Sequence, residues 1–227
     1  MVTTEYTAVV TCGLCGKQQP VTRMGSTNTV GSMDLDTRPP EMRRSTMNYW
    51  LQECVDCGFV GGDLALTRGS DAHVVTSSAY RAERQQANRS RLASVFVCSA
   101  LLEEEAGDLV MAGWRRLHAA WSCDDAGQLE EARAQRLAAL AQFERARAAG
   151  DRAVKSMTGG DDSLLADIAR RAGAFERAIQ HCDAGLALPA LPPFLTQFLK
   201  FERDLALKRD DGCYTVDDAQ GRRRRGP

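Results

Sequence analysis

The sequence predicts an α+β protein in which a small N-terminal β module precedes a larger all-α domain. The pattern CxxCG occurs twice, at residues 12–16 and 54–58, with 38 residues between Cys15 and Cys54. After about residue 77 the apolar residues change from a period of two to a period of about 3.6. The second half is also rich in Ala, Leu, Arg and Glu, which is typical of packed helices. The predicted units are domains at 1–66 and 77–208 and a flexible basic tail at 209–227.

Each CxxCG pattern is expected to form a knuckle, a tight turn that carries two metal-binding cysteines. The residues between the cysteines let both sulfurs reach one ion, and four thiolates satisfy the tetrahedral preference of Zn²⁺. Gly16 and Gly58 follow because the chain must turn back there, often with positive φ. The doubled motif therefore predicts a zinc ribbon whose ligands are Cys12, Cys15, Cys54 and Cys57. Flanking β-branched and aromatic residues predict short strands at 6–11, 17–24 and 47–53.

A site made of four cysteines is coordinatively closed, which favours a structural metal over a catalytic one. A catalytic zinc keeps one position open for water or substrate, whereas a small module with little core needs a metal to be stable. Zinc is favoured over iron because no other feature of the sequence suggests electron transfer. The alternative is a thiol switch, in which oxidation expels the zinc and pairs the cysteines.

The segment between the knuckles is longer than a minimal ribbon needs, and the excess lies mainly in residues 25–46. Such a long loop inside a compact module is either functional or disordered. The side chains of Asp34, Asp36 and Arg38 are expected to order it through carboxylate–guanidinium and backbone hydrogen bonds. A contact with a partner or a hard cation is the alternative, although two aspartates at i and i+2 are a weak metal signal. This loop is where we expect any functional residues outside the cysteines.

Two features predict a cytoplasmic protein that makes no contact with a membrane. The first residues lack a basic segment followed by a continuous apolar stretch, so no secretory signal is expected. The longest apolar run, residues 92–102, is too short to span a bilayer and is interrupted by serines. In a reducing compartment paired CxxC motifs are metal or redox sites rather than disulfides.

The charge distribution argues against nucleic-acid binding by the folded part of the chain. The net charge is −1, but four of the 29 basic residues lie at 222–225, and the other 25 face 30 acidic residues. Residues 1–70 contain six Lys or Arg and seven Asp or Glu, a near balance that offers little attraction to phosphates. The basic tail is expected to be solvated and disordered, and contact with RNA or an acidic partner is the alternative.

Glycine, proline and aspartate punctuation divides the C-terminal region into seven predicted helices. A polar linker around residues 68–78 precedes them. The predicted helices span residues 78–89, 91–106, 108–123, 127–149, 161–172, 174–188 and 193–208.

Two helix pairs share a common pattern. Gly107 and Gly173 each separate two apolar helix faces, and a small residue, Ala112 or Ala178, lies five positions after each glycine. Small residues at these positions permit close approach of the paired helices, and the pattern resembles the tetratricopeptide repeat. The predicted helix at 127–149 is long and unbroken, so the match to that repeat is partial. An ordinary helical bundle is the alternative.

The chain combines the two knuckles with three further distinctive segments. These are MDLDTRPP at 33–40, AAWSCDD at 119–125 and IARRAGAFERAI at 168–179. Together the five segments resemble a family of uncharacterised bacterial proteins in which a two-knuckle CxxCG zinc ribbon precedes tetratricopeptide-like helices. The resemblance implies this architecture over most of residues 8–208 and implies no activity.

The histidines and remaining cysteines do not form a recognisable catalytic set. His73, His118 and His181 lack metal-ligand spacing and are expected to pack or to face solvent. Cys213 is expected to be more exposed than the other cysteines, between carboxylates that raise the pKa of a thiol. The remaining cysteines are expected to be buried in the helical region, namely Cys98, Cys123 and Cys182.

Two further groups of residues have simple structural interpretations. Trp114 and Trp121 share a helix face and are expected to be core, with the wall of an aromatic groove as the alternative. The paired acids are expected to cap helix N-termini, at Asp124 with Asp125 and at Asp161 with Asp162.

The sequence therefore predicts a non-enzymatic, zinc-stabilised protein-interaction or scaffold protein with a peptide or protein partner. A closed metal site, a repeat-like helical region and the lack of a nucleotide-binding, metalloprotease or hydrolase motif support this function. The alternatives are a nucleic-acid-binding zinc ribbon protein and a thiol-based redox switch.

Overall fold

The computed structural model describes residues 3–221 and confirms the α+β class predicted from the sequence. The strands are β1 (Thr4–Thr11), β2 (Gln18–Ser26), β3 (Gln52–Glu53) and β4 (Val60–Gly61). A 3-10 helix at Arg44–Tyr49 lies between β2 and β3. The helices are α1 (Asp71–Thr76), α2 (Ser78–Arg84), α3 (Arg91–Glu105), α4 (Leu109–Asp125), α5 (Leu129–Ala148), α6 (Gly160–Arg171), α7 (Phe175–Leu186), α8 (Pro193–Leu207) and α9 (Val216–Ala219).

The strands form two antiparallel hairpins, and each knuckle is the turn of one hairpin. β1 pairs with β2 along its length, from Thr11 opposite Gln18 outward, and β3 pairs with β4. Val10 and Val21 are buried, while Val9 is 72% exposed, as expected for strands with one face on a core. The strands predicted at 6–11 and 17–24 are therefore present, with somewhat wider bounds.

The strand predicted at residues 47–53 is mostly a 3-10 helix, and only its last two residues pair as a strand. The hydroxyl of Thr46 donates to the carbonyl of Arg43 at 2.6 Å. Such local bonds from a side chain to the backbone compete with extended structure. Met47 is buried at 2% exposure, so the apolar residues that suggested a strand are buried by one helical turn instead.

The seven predicted helices correspond to α2 through α8, and most ends agree within two residues. α2 ends five residues earlier than predicted, at Arg84. The segment predicted as a polar linker contains α1, where Val74 and Val75 are each 7% exposed. Burial of these two side chains stabilises a short helix that the polar composition of the segment does not predict.

Glycines with positive φ join the helix pairs that suggested a repeat. Gly107 (φ 80°) lies between α3 and α4, and Gly173 (φ 77°) lies between α6 and α7. Ala112 and Ala178 are fully buried, as close helix packing requires. These pairs have the features expected of the repeat, and the assignment to the tetratricopeptide class stays a prediction.

The long α5 is unbroken over 20 residues and packs closely against α4. A Cβ atom on Gly113 of α4 would lie 2.6 Å from the ring of Phe143 on α5, so only glycine fits there. The sequence does not reveal the role of Gly113, because a glycine inside a helical pattern gives no indication that an aromatic ring of another helix packs against it. Among residues 3–221, every helix is too short or too polar to cross a bilayer.

The segment predicted as a flexible tail from residue 209 differs from the structure over residues 209–221. The Thr215 side chain and the Asp218 carboxylate form a capping box at the start of α9. Ala219 packs with Leu35, Leu195 and Phe198 in a small apolar cluster. These contacts explain the order of this segment, and the basic residues 222–225 lie outside the described residues.

Candidate metal centre and the loop it closes

The two knuckles have the same backbone geometry. The amide of Gly16 donates to the carbonyl of Cys12 at 2.8 Å, and that of Gly58 donates to Cys54 at 3.0 Å. Both glycines have φ of 76°, in the region that glycine adopts without steric cost. A Cβ on Gly16 would meet no atom within 4 Å, so the backbone angle alone requires this glycine.

The four knuckle cysteines converge on one point. Their Sγ atoms all lie within 4.8 Å of one another. Across the knuckles, Cys12 Sγ is 3.8 Å from Cys57 Sγ, and Cys15 Sγ is 3.6 Å from Cys54 Sγ. Four sulfurs at about 2.3 Å from a tetrahedral ion would be separated by about 3.8 Å. The cysteines are thus positioned to bind one metal ion.

Backbone amides support the thiolates of this cluster. Burial pushes the pKa of the Cys54 thiol upward, but the N–H groups of Cys57 and Asp56, together with hydrogen bonds from the Cys15 and Cys57 side chains, bring it down to about 7. Burial raises the pKa of Cys12, and the N–H groups of Cys15 and Leu14 oppose the rise. Each knuckle therefore directs amides of its own turn at the sulfur of its first cysteine, as in metal sites whose surroundings stabilise the ligands.

Contacts outside the knuckles fix their relative position. The buried side chain of Gln19 donates to the carbonyl of Glu53 and accepts from the amide of Val55, both at 2.9 Å. The hydroxyl of the fully buried Tyr80 on α2 donates to the carbonyl of Gly58 at 2.8 Å. The roles of Gln19 and Tyr80 are not visible in the sequence, because no local pattern identifies a polar side chain that bonds a distant backbone group.

The loop between the knuckles is held by the side chain of Asp36, which is fully buried. Its Oδ2 accepts hydrogen bonds from Trp121 Nε1 at 2.9 Å and from Arg171 Nη1 at 2.7 Å. Arg136 Nη2 lies 3.3 Å from the same oxygen, and the amide of Arg38 donates to Oδ1 at 3.2 Å. One carboxylate of the loop is thus bonded to α4, α5 and α6.

A second carboxylate, that of Asp124, binds the same arginines. It accepts from Arg136 at 2.6 Å and 3.0 Å and from Arg171 at 2.8 Å. The side chain of Arg38 completes the group by donating to Asp34 at 2.6 Å. The expected salt bridges that order the loop are therefore present, and they extend into the helical domain. We call the group of Asp34, Asp36, Arg38, Asp124, Arg136 and Arg171 the arginine–aspartate cluster.

The charges of the cluster shift the pKa values of its members. Burial alone would raise the pKa of Asp36, but the charges of Arg171, Arg136 and Arg38 hold it well below its usual range. Burial likewise opposes ionisation of Asp124, and the hydrogen bond and charge of Arg136 lower its pKa. Both carboxylates are therefore ionised at neutral pH, with three buried guanidinium groups as counter-charges.

The interpretation of Asp124 and Asp125 as N-terminal caps is wrong. They are the last two residues of α4, where a negative charge faces the negative end of the helix dipole. The arginines compensate: Asp124 binds Arg136 and Arg171, and Asp125 accepts from Arg44 Nε at 3.1 Å. Two acids that precede a helix can either cap that helix or pair with distant arginines. The sequence pattern is the same in both cases, so the sequence alone does not distinguish the two roles.

Asp161 and Asp162 lie inside the first turn of α6 and are buried. Asp161 Oδ1 accepts from the amide of Ala153 at 2.8 Å, and Asp162 accepts from Arg147 Nη1 at 2.6 Å. Asp161 therefore binds the segment before α6 and Asp162 binds α5, both at the helix end whose dipole favours a negative charge.

The C-terminal segment covers the other side of the loop. The amide of Leu35 donates to the carbonyl of Tyr214 at 3.0 Å, and that of Val216 donates to Met33 at 2.9 Å. Arg38 Nη2 lies 3.4 Å from the exposed Cys213 Sγ. Although the residue as a whole is exposed, partial loss of solvent around the sulfur raises the pKa of Cys213 to about 11, which disfavours its thiolate form.

The other residues considered from the sequence lie apart from the metal centre. His73 is exposed, and Nε2 of His181 lies 3.2 Å from the Glu144 carboxylate, within reach of an N–H donor. The three cysteines expected in the core are buried, namely Cys98, Cys123 and Cys182. Trp121 is buried and Trp114 is half-buried, so this pair is partly core and partly surface.

Comparison of the chain with protein-family models, with curated proteins and with solved structures finds no match in any of the three.

We predict that Asp36→Asn destabilises the fold by about 3–5 kcal/mol, because it leaves buried guanidinium groups without their shared counter-charge. Asp183→Asn is the control, since Asp183 pairs with Arg203 at the surface with a side-chain exposure of 54%, and we expect a much smaller loss of stability from it. Urea unfolding measures both. Equal losses in the two variants would contradict a special role for Asp36.

His118 is expected to make stability depend on pH. Burial, together with the charge of Arg115, lowers the pKa of His118 to about 3, and the charge of Asp36 opposes this only weakly. The unfolded chain takes up a proton near pH 6.5, so between about 6.5 and 3 the unfolded state binds more protons. Stability should therefore fall with falling pH by up to about 1.4 kcal/mol per unit.

The measurement is urea unfolding of the wild type and His118→Phe at several pH values between neutrality and the range where carboxylates titrate. The difference between the two proteins should change over this window, since the variant lacks the titrating ring. His73→Phe is the control, because His73 is exposed. A constant difference between wild type and His118→Phe would refute the assignment.

Proposed function

We propose that this protein is a non-enzymatic interaction protein in which zinc fixes the shape of the surface that a protein partner binds. The observation that carries the proposal is the convergence of four cysteines from two knuckles. The first knuckle is the turn between β1 and β2, so a metal ion held there fixes the hairpin whose edge is proposed to bind the partner. A closed four-sulfur site suits a structural metal, because it leaves no position for substrate.

Zinc is the metal that fits this donor set. Thiolates select soft or borderline ions, and a tetrahedral arrangement of four sulfurs is typical of structural zinc and of iron–sulfur centres. The separations of 3.6 Å and 3.8 Å between sulfurs of opposite knuckles suit a single ion. A reducing, cytoplasmic setting is part of the proposal, since it keeps the thiols available for the metal.

The exposed apolar side chains of the β module support a protein partner. Val9 on β1 and Val55 in the second knuckle are each 72% exposed, and Leu66 is 74% exposed. β1 pairs with β2 on one side only among the described residues, so its other edge is open to an extended chain of a partner. We place the partner surface on this edge, because the loop itself is already bonded to α4, α5 and α6.

The contacts of the arginines give little support to a nucleic-acid-binding ribbon. Arg23 pairs with Asp63, Arg44 with Asp125 and Arg68 with Glu103. Guanidinium groups already paired with carboxylates contribute little to the attraction of phosphates. A thiol switch is compatible with the same four sulfurs and is distinguished by whether mild peroxide releases the metal.

We expect one zinc ion per chain after purification under reducing conditions. Cys15→Ser and Cys57→Ser should lose the metal and unfold the β module, because a hydroxyl does not replace a thiolate ligand. Cys213→Ser is the control, since its sulfur lies outside the cluster, and should keep one zinc ion. Metal analysis with thiol titration measures this. Wild-type protein without metal, or equal loss in Cys213→Ser, would contradict the assignment.

The interaction is tested by capture of partners on immobilised wild-type protein, followed by binding measurements with the purified partner. Val9→Lys should weaken binding at least tenfold, because a charge on β1 opposes an apolar contact. Leu129→Lys is the matched control. Leu129 is also an exposed apolar residue, at 60%, but it lies on α5 rather than in the β module. Equal affinity of both variants would move the surface elsewhere, and turnover of a small molecule without any partner would refute the proposed function.

A further inference from the structure

All three tryptophans of the chain line one cavity between the loop and α4. The cavity has a volume of about 380 Å³. The loop contributes Pro39 and Pro40 to one wall, and α4 contributes Trp114, His118 and Trp121 to another. Trp50, just after the 3-10 helix, closes a further side. We call this space the tryptophan cavity.

The rings of the tryptophan cavity are fixed by contacts with their surroundings. Trp121 Nε1 donates to Asp36, and Trp50 Nε1 donates to the hydroxyl of Thr46 at 3.3 Å. The ring of His118 packs between them, with centroid distances of 5.1 Å to Trp50 and 4.9 Å to Trp121. The aromatic walls are therefore preformed, which reduces the entropic cost of binding a flat ring.

One ring nitrogen of His118 is unpaired in the described part of the chain. Its Nδ1 atom is buried and bonds to no group among residues 3–221. The low pKa of His118 keeps the ring uncharged at neutral pH. A neutral imidazole among three indoles makes the cavity mainly apolar, with a few polar groups, as ligand sites commonly are.

The charge at the rim of the cavity is positive. Arg43 lines the cavity, is exposed, and has no carboxylate partner among residues 3–221, whereas its neighbour Arg44 pairs with Asp125. No Asp or Glu is among the described residues that line the cavity. A cationic ligand would therefore meet an unpaired like charge, which argues against a choline or methyl-lysine type of cage. A carboxylate would meet a free guanidinium group.

The size of the cavity limits the ligand. About 380 Å³ is near the small end of known ligand pockets, which span about 300–1,000 Å³. One ring system and a short acidic substituent fit this volume, whereas an extended chain exceeds it.

We propose that the tryptophan cavity binds a free aromatic carboxylate, whose ring lies among Trp50, Trp114 and Trp121 and whose acid group pairs with Arg43. The site is separate from the metal centre and from the open edge of β1. It adds a small-molecule ligand to a protein whose other proposed role is to bind a protein partner.

The test compares 3-phenylpropanoate with 3-phenylpropanamide, two ligands that share a ring and differ in charge. Intrinsic tryptophan fluorescence reports on the site directly, because every tryptophan lines the cavity, and calorimetry gives the affinities. We expect saturable quenching or enhancement by the acid and about three- to tenfold weaker binding of the amide. Equal affinities would overturn the proposal, as would binding of the acid without any change in fluorescence.

Two variants assign the two halves of the ligand. Arg43→Gln should lower the affinity for the acid to that for the amide and leave the amide unchanged, whereas Trp114→Leu should weaken both. Arg81→Gln on α2 is the matched control, since Arg81 is also exposed and has no side-chain partner among the described residues. Circular dichroism shows that each variant is folded. An acid affinity unaffected by Arg43→Gln would overturn the proposal.

A further arm of the experiment identifies the source of the ring and acid. A glycine–serine peptide with a C-terminal phenylalanine offers the same ring and carboxylate at the end of a chain. Weaker binding of this peptide than of 3-phenylpropanoate supports a free small molecule. Binding at least tenfold tighter than that of the free acid would overturn the small-molecule assignment.

Discussion

The burial of one carboxylate determines how the parts of this protein fit together. Asp36 has no exposed surface, so the protein must provide the stabilisation that water would otherwise give its negative charge. Trp121, Arg136 and Arg171 supply it from three different helices. Because an unpaired buried charge is very unfavourable, the loop can bury Asp36 only where α4, α5 and α6 bring these three side chains together. The cluster thus couples the position of the loop to the packing of the helices.

The features that the sequence predicted are those that depend on near neighbours. A knuckle is defined by Cys12, Cys15 and Gly16 within five residues, and its geometry follows from local chemistry. The helices of the C-terminal domain follow from apolar spacing and from glycines such as Gly107 and Gly173, which end helices with positive φ. These signals do not depend on which distant segment lies alongside, so a single sequence contains them.

What the sequence did not predict are the partners of polar side chains that are far apart along the chain. Asp36 was expected to order its loop, but its bond to Arg171 joins residues 135 positions apart. The sequence predicts that Asp124 caps a helix, because an acid that caps a helix and an acid that pairs with a distant arginine occur in the same sequence pattern. Gln19, which joins the two knuckles, is unremarkable as a residue type in a strand. Without homologous sequences, no property of these residues alone identifies a partner.

The pairing of the loop with the C-terminal segment has a consequence for the order in which the protein takes shape during synthesis. The knuckles and the loop leave the ribosome before the helices, and the four cysteines are all present once residue 57 has emerged. The loop, however, bonds to Tyr214 and Val216, which are made more than 150 residues later. The β module is therefore synthesised before the helical domain but completed only after the segment that follows it. During that interval the nascent chain exposes Asp36 and Leu35 to whatever else is present in the cell.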